Sequence, residues 1–336
     1  MPAPLDGVLL GALVVAAGGL AIAPRPRAWA GAALALTVVL VLGDQSRWQP
    51  WLYQYALMVA ALALARSTTE TLTAWRLVLV ALYVWGGIQK LNVTFVTKLF
   101  PWMLEPLAGP RSGPGPVVIG AGVAVALVEV AIGVALLFPR TRKTGVVAAV
   151  ATHALVLALL GPLGHGQNHV VWPWNLALAA LAVVLFWRDD EPARRIVVPR
   201  RIGLQAALVV LVGILPAASF RGWWDAYLSG ALYSGNIPAG FIVMSDTSPG
   251  RLPAEVRRYV KTTSDGLHLL DLWEWSVAEL RAPSYPEPRV LRRVAAAVCR
   301  QAGMPPDVLL VVLGRPGVLS GRRDVSRHDC AALVRD

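Results

Sequence analysis

The chain has 336 residues, of which 56% are hydrophobic and 15% charged, and its mean hydropathy is +0.57. A soluble domain carries about 25% charged residues, so water is the wrong solvent for most of this sequence. The formal net charge of +11 does not point to nucleic acid, because Arg and Lys collect in alternate short loops between apolar windows, the pattern that orients a membrane protein.

Apolar windows of about 20 residues, enough to cross a bilayer core of about 30 Å, recur from Gly7 to Ala218. About eight spans are expected, at 7–23, 28–43, 51–65, 74–91, 117–138, 144–161, 170–187 and 202–218. The first is a retained helix and not a cleaved signal, since Asp6 precedes it while Arg25 and Arg27 follow it. Arg66 and Arg76, then Arg140, Arg142 and Lys143, then Arg188, Arg194, Arg195, Arg200 and Arg201 fall on the same side. That side is expected to be the cytoplasm, which puts both termini outside a bacterial-type plasma membrane. Trp48, Trp51, Trp102, Trp172 and Trp174 then mark the outer interface.

Residues 219–250 hold Trp223, Trp224, Tyr227 and Tyr233 and read as an interfacial linker. From Arg251 the charge density rises to that of a soluble domain, with a helix expected over Glu287–Gln301 and a strand over Val308–Leu313. The fold class expected is therefore an all-α polytopic bundle over 1–218 with a small α+β extracytoplasmic domain over 251–336. Cys299 and Cys330 are the only cysteines. Outside the cell they are free to pair, and a loop of about 30 residues would contribute roughly 3 kcal/mol or more; two separate buried thiols are the alternative.

Ionisable groups in apolar spans are costly, which makes three residues candidates for chemistry. Lys90 ends the fourth span in "VWGGIQKLN". It either snorkels to the outer headgroups or sits in a dry pocket as a base. Glu129, in "ALVEVAIG", has no basic residue in its own run, so it is protonated or paired with another helix. His153, in "VATHALVL", is either structural or an acid/base group sharing a layer with Glu129, whose carboxylate would orient the ring. The three are expected to face one outward-opening cavity.

Two outer loops, "DQSRWQPWLYQY" and "GPLGHGQNHVVWPWN", add side chains that both stack and hydrogen-bond. A flat ring or lipid headgroup would be contacted by Asp44, Gln45, Gln49, Trp51 and Tyr53, together with Asn92, Asn168, His169, Trp172 and Asn175. His165 and His169 have the i, i+4 spacing of a helical metal pair, but Pro162, Gly164 and Gly166 oppose a helix there, so no metal site is assigned.

Together, "DQSRWQPWLYQY", "GGIQKLN", "VEVAIGVALLFPRTRKTG", "ATHALVL" and "NHVVWPWN" resemble the HTTM domain, the membrane part of vitamin K-dependent γ-carboxylases and their bacterial relatives. The DoxX and MauE membrane proteins are more distantly similar. The resemblance covers roughly Trp29–Trp187. It implies that Lys90 stands where the carboxylases place the base for vitamin K hydroquinone oxidation, and so implies a reduced quinone as the co-substrate. The carboxylases add a large extramembrane portion for their peptide substrate and place a histidine in the first outer loop; this chain has only its tail and no such histidine.

The reading is a membrane protein that binds a quinone-like or other lipid-soluble molecule, with Lys90 as base supported by Glu129 and His153. The alternative is a non-enzymatic accessory protein of DoxX or MauE type that docks a secreted or membrane partner. A transporter is not supported, since no internal repeat or matched pair of broken helices is visible.

Overall fold

Prolines open most of the long helices, as expected at a position where the missing N–H has no intrahelical partner. A computed structural model describes residues 2–109, 113–245 and 248–335. Its bundle comprises α1 (Ala3–Ile22), α2 (Pro26–Gly43), α3 (Pro50–Leu64), α4 (Thr68–Lys90), α5 (Phe100–Ala108), α6 (Pro116–Leu137), α7 (Arg142–Leu160), α8 (Val171–Phe186), the short α9 (Ala193–Val197) and α10 (Leu204–Leu208). The last continues helically to Arg221.

Among the described residues, six helical segments are long and apolar enough to cross a membrane: α1, α2, α4, α6, α7 and Leu204–Arg221. The other two expected spans are the shorter apolar helices α3 and α8, of 15 and 16 residues. At 1.5 Å per residue these are only about 22–24 Å long. The last segment is also irregular. Pro216 has no N–H to give, and the chain widens into a π turn over Val209–Ile214 and tightens to 3₁₀ geometry from Leu215.

Two thirds of the apolar window of α4 is buried, against 6% for α1, so α4 is the central helix and α1 lies at the periphery. Ser67 caps the start of α4, its Oγ accepting the Glu70 N–H at 3.2 Å. Its contact with α6 depends on small residues. A Cβ at Gly87 would lie 2.6 Å from the Ala126 carbonyl oxygen, and one at Gly133 would lie 2.6 Å from Val84 Cγ2. At the arginine-rich end, Arg142 bonds Asp189 at 2.8 Å and the carbonyls of Leu136 and Leu137. Arg76 bonds the same Asp189 at 2.8 Å, tying α4, α7 and the end of α8 together.

The loop expected over Asn92–Pro116 is largely helical. A π turn at Phe95–Leu99 leads into α5, and Phe95, Val96, Phe100 and Met103 bury themselves beside Leu160. Their three-to-four-residue spacing carried the helical signal. Residues 110–112 of that loop lie outside the described residues.

The tail forms a five-stranded antiparallel sheet, ordered β2-β3-β1-β4-β5, from β1 (Ala239–Met244), β2 (Lys261–Thr262), β3 (His268–Asp271), β4 (Leu309–Leu313) and β5 (Val325–Asp329). The expected strand is β4, and the expected helix is Pro288–Gln301, with Glu287 as its cap residue. In chain order the tail's helices are α11 (Ala254–Arg257), α12 (Leu272–Leu280), α13 (Pro288–Gln301) and α14 (Cys330–Arg335). The domain starts before Arg251: its central strand β1 comes from the stretch read as linker. Alternation puts Ile242, Met244, Leu310 and Val312 into one core with Leu291, Ala295 and Val298 of α13. Cys299 and Cys330 are disulfide-bonded, with Cα atoms 5.5 Å apart, joining α13 to α14.

The stretch 222–238 is not merely interfacial. Tyr227 and Leu232 are buried in the same core as the bundle. Gly230, at φ +73°, lies so close to α4 that a Cβ would be 3.2 Å from the Gly86 nitrogen.

Candidate functional site

Lys90, Glu129 and His153 line one cavity of about 100 Å³. Its apolar wall comes from Leu82, Met103, Val156, Leu160, Trp174, Leu178 and Leu232, and its remaining polar groups are Tyr83, Thr152, Asn175 and Tyr233.

Lys90 turns inward at the last turn of α4. Its Nζ donates to Glu129 Oε2 at 2.6 Å and to the Gly86 carbonyl at 3.1 Å. The two side chains are 13% and 20% exposed, so the pair is mostly removed from solvent without being sealed. Gly86 leaves room for the carboxylate, since a Cβ there would sit 3.0 Å from Glu129 Oε1. Of the two readings of Lys90, snorkelling and pocket, the geometry has the pocket. Glu129 finds its cation on the neighbouring helix.

His153 does not pair with Glu129. Its Nδ1 lies 2.8 Å from Asn175 Oδ1 and its Nε2 lies 2.6 Å from the Tyr83 hydroxyl. The Asn175 amide is oriented by its own Nδ2, which donates to the Val171 carbonyl at 2.8 Å and leaves Oδ1 facing the ring. An acceptor on that side requires a proton on Nδ1, so the neutral ring accepts from Tyr83 through Nε2. The expected carboxylate–imidazole pair is thus replaced by a Tyr–His–Asn chain, for the simple reason that Lys90 has claimed the carboxylate.

Tyr83 is the site residue that sequence reading missed. It lies seven residues before Lys90, two helical turns along the same face, with Gly86 between them. Tyr233 is the second, contributed by the segment read as a surface linker.

The first outer loop behaves differently from expectation. Asp44, Gln45, Gln49, Trp51 and Tyr53 do not line this cavity. Gln49 donates to the Ser46 and Pro283 carbonyls at 2.9 Å each, Gln45 meets Arg289, and Tyr53 OH lies 2.8 Å from Tyr285 OH. Asp44 accepts the Ser46 N–H at 3.0 Å and approaches Arg47 at 3.5 Å. Arg47 is held by Asp6 at 2.7 Å. This loop is the joint between the bundle and the tail, a role its polar side chains serve as well as they would a ligand. Only Pro50 reaches the cavity, while Trp51 packs edge-on against Trp174 with ring centroids 6.1 Å apart. Asp44, Gln49 and Trp51 line a separate open groove of about 390 Å³ beside α1 and α2.

Of the second loop, Val171, Trp174 and Asn175 line the cavity, whereas the expected contacts Asn168, His169 and Trp172, like Asn92, do not. Asn92 is spent on structure, donating to the carbonyls of Gln89 and Ser234 at 2.8 Å and accepting the Phe95 N–H at 2.9 Å. Trp172 donates to the Leu160 carbonyl at 3.0 Å, and His169 lies 3.2 Å from the Gly166 carbonyl. His165 stacks on Trp102, at 4.1 Å between centroids, and bonds its carbonyl. Among the described residues no three His, Cys, Asp or Glu side chains gather as metal ligands.

Asn168 links the cavity to a second space. Its Nδ2 donates to the Tyr233 hydroxyl at 3.0 Å while it also lines an open groove of about 580 Å³, together with Trp102, Tyr259 and Trp273, between the bundle and the tail. Tyr233 faces the inner cavity, and burial pushes its hydroxyl up to about 12. Behind it, Tyr285 bonds Asp225, and burial together with that carboxylate raises the Tyr285 hydroxyl far above its ordinary range. Burial also raises the Glu287 carboxyl and lowers the Arg315 guanidinium, a pair 3.8 Å apart.

No protein-family model, curated protein or solved structure matches this chain.

Proposed function

We propose that the protein is an HTTM-like membrane protein whose cavity accepts the acidic head of a reduced quinone-like or other lipid-soluble molecule. One observation carries the reading: a lysine–carboxylate pair and a tautomer-fixed histidine face the same small, mainly apolar space. Transfer of a proton from the Lys90 ammonium to Glu129 within the 2.6 Å pair leaves a neutral amine, which can take the proton of a ring hydroxyl and, as an ammonium again, hold the ring oxyanion that forms. Tyr83 and Asn175 hold the His153 ring, which leaves it a positioning and hydrogen-bonding group for the far side of the head. Leucine, valine and tryptophan side chains supply the flat apolar contacts.

Size limits the fit. A space of about 100 Å³ is well below the roughly 300 Å³ of an ordinary ligand pocket. One six-membered ring can be held as it stands, whereas a fused bicyclic head requires Leu232 and Tyr233 to move outward. Those residues sit on the irregular 222–238 segment, so the movement would cost the packing of Leu232 on the bundle core and the Asn168–Tyr233 bond without shifting a long helix.

The test is extraction of lipid-soluble molecules from protein purified out of membranes, compared with Lys90→Met and Leu178→Trp. Wild type is expected to carry a ring-containing acidic lipid, with loss in both variants while the folded fraction is unchanged. Equal recovery from all three would refute the assignment.

A second reading rests on the larger outer groove. With Trp102, Tyr259 and Trp273 on its walls and about 580 Å³ open to the outside, it suits an accessory protein that docks a secreted or membrane partner. Retention of partner binding by Lys90→Met, with loss on Trp273→Ala, would favour it.

A further inference from the structure

At the opposite end of the bundle lies a space of about 540 Å³ whose chemistry is unlike that of the cavity above. Arg66, Arg195, Arg200 and Arg201 surround it, with the first turn of α4 forming its floor at Ser67 and Thr69. Two carboxylates are present, and each offsets one of these arginines, Glu191 facing Arg195 and Glu70 facing Arg201. Glu70 accepts the Arg66 backbone N–H at 2.7 Å. Glu191 is shared among Thr73, Arg76 and Arg195 at 3.1–3.2 Å. The Arg201 guanidinium is 4.0 Å from Glu70, and the side chains of Arg66 and Arg200 have no ion-pair partner among the described residues.

The site is held in place. Gln205 donates to the carbonyls of Arg195 and Ile196 at 2.6 and 3.1 Å, which closes the 195–205 segment on itself, and α9 and α10 at its two ends both pack against α4. The start of the 23-residue helix α4, the positive end of its dipole, borders the space through Ser67, Thr69 and Glu70. Guanidinium groups and helix-start N–H groups are together suited to a tetrahedral, multiply charged oxyanion.

Apolar side chains flank the arginines and are open to the surroundings. Ile202 is 99% exposed between Arg201 and Gly203, and Val198 and Leu64 are also exposed. In a bilayer these positions lie at the level where headgroups meet acyl chains, so the cation cluster is joined to an apolar collar. Free phosphate has no use for that collar; a phospholipid does.

We propose that this pocket binds the phosphate of an anionic lipid headgroup, with Arg66 and Arg200 as its unpaired cations. The inference shares with the proposed function only the placement of the bundle in a membrane, and none of its residues belongs to the Lys90 cavity.

The test uses the full chain in nanodiscs of phosphatidylcholine containing 20% phosphatidylglycerol or cardiolipin, with retained lipids counted by native mass spectrometry. Wild type is expected to retain anionic lipid preferentially. Arg66→Gln/Arg200→Gln is expected to lose that preference at least fivefold, while Arg25→Gln/Arg27→Gln, which removes two exposed arginines at the same end, keeps it. Equal loss in both double variants would show general surface attraction and overturn the site, as would no loss in either. A parallel arm in pure phosphatidylcholine with 10 mM inorganic phosphate separates the sources. An adduct dependent on Arg66 and Arg200 that also displaces the lipid would overturn the lipid as the ligand and reassign the site to free phosphate. Quinone recovery from Arg66→Gln/Arg200→Gln should be unchanged, so the fate of this site and that of the Lys90 cavity are read independently.

Discussion

Replacing Glu129 by Leu strands the Lys90 ammonium in a mostly apolar cavity. Losing one member of a buried ion pair costs about 3–5 kcal/mol, and the pair's exposures of 13% and 20% reduce this to about 2–3 kcal/mol by solvent screening. Lys90→Met alone strands the carboxylate and is expected to cost a similar amount. The double variant Lys90→Met/Glu129→Leu removes both charges and leaves side chains of similar volume, for which about 1–2 kcal/mol is expected. The two single costs should therefore exceed the double by about 3 kcal/mol, the signature of direct coupling. Unfolding in detergent micelles, followed by the fluorescence of the 13 tryptophans, measures all four corners of the cycle. If the double variant costs the sum of the singles to within about 0.5 kcal/mol, the 2.6 Å contact contributes nothing as a pair, and the reasoning that places Glu129 as the counter-ion of Lys90 fails.

Tyr83→Phe removes the donor to His153 Nε2 and should destabilise the bundle by about 1–3 kcal/mol; ¹⁵N spectra of labelled His153 should still show the Nδ1-protonated tautomer, because Asn175 fixes it. Replacing Cys299 and Cys330 by Ser releases a closure of 31 residues, worth roughly 3.5 kcal/mol in the chain-entropy relation, and should lower the unfolding transition of the tail while leaving that of the bundle in place; a common shift of both would show the two to be one cooperative unit. In a cysteine-free background, Ser264→Cys and Thr141→Cys should label from opposite sides of the membrane, Ser264→Cys from outside; Ser112, between α5 and α6, lies outside the described residues. Labelling of both from one side would reverse the assignment of both termini to the exterior.

The sequence alone determined what depends on composition and local periodicity. Long apolar windows made a helical bundle unavoidable, since an unpaired backbone N–H or C=O in hydrocarbon costs several kcal/mol. The charge step near Arg251 marked a separate tail but missed its central strand Ala239–Met244, while the expected helix Glu287–Gln301 and the apolar run Val308–Leu313 matched a helix and a strand to within a residue or two. Lys90, Glu129 and His153 stood out because an ionisable group in an apolar run has no local remedy. Which remedy each found was a tertiary matter. Lys90 and Glu129 meet because Gly86 and Gly87 let α6 approach α4, and once that contact forms the carboxylate is no longer available to His153. Tyr83 and Asn175 took its place only because α4, α7 and α8 surround one space. The outer-loop residues Gln45, Gln49 and Tyr53 were equally suited by chemistry to a ligand or to a neighbouring domain, and the position of the tail decided for the domain. The aromatic stretch at 222–238 likewise reads as interfacial until Gly230 packs against Gly86, a contact between residues 144 apart that no local pattern records.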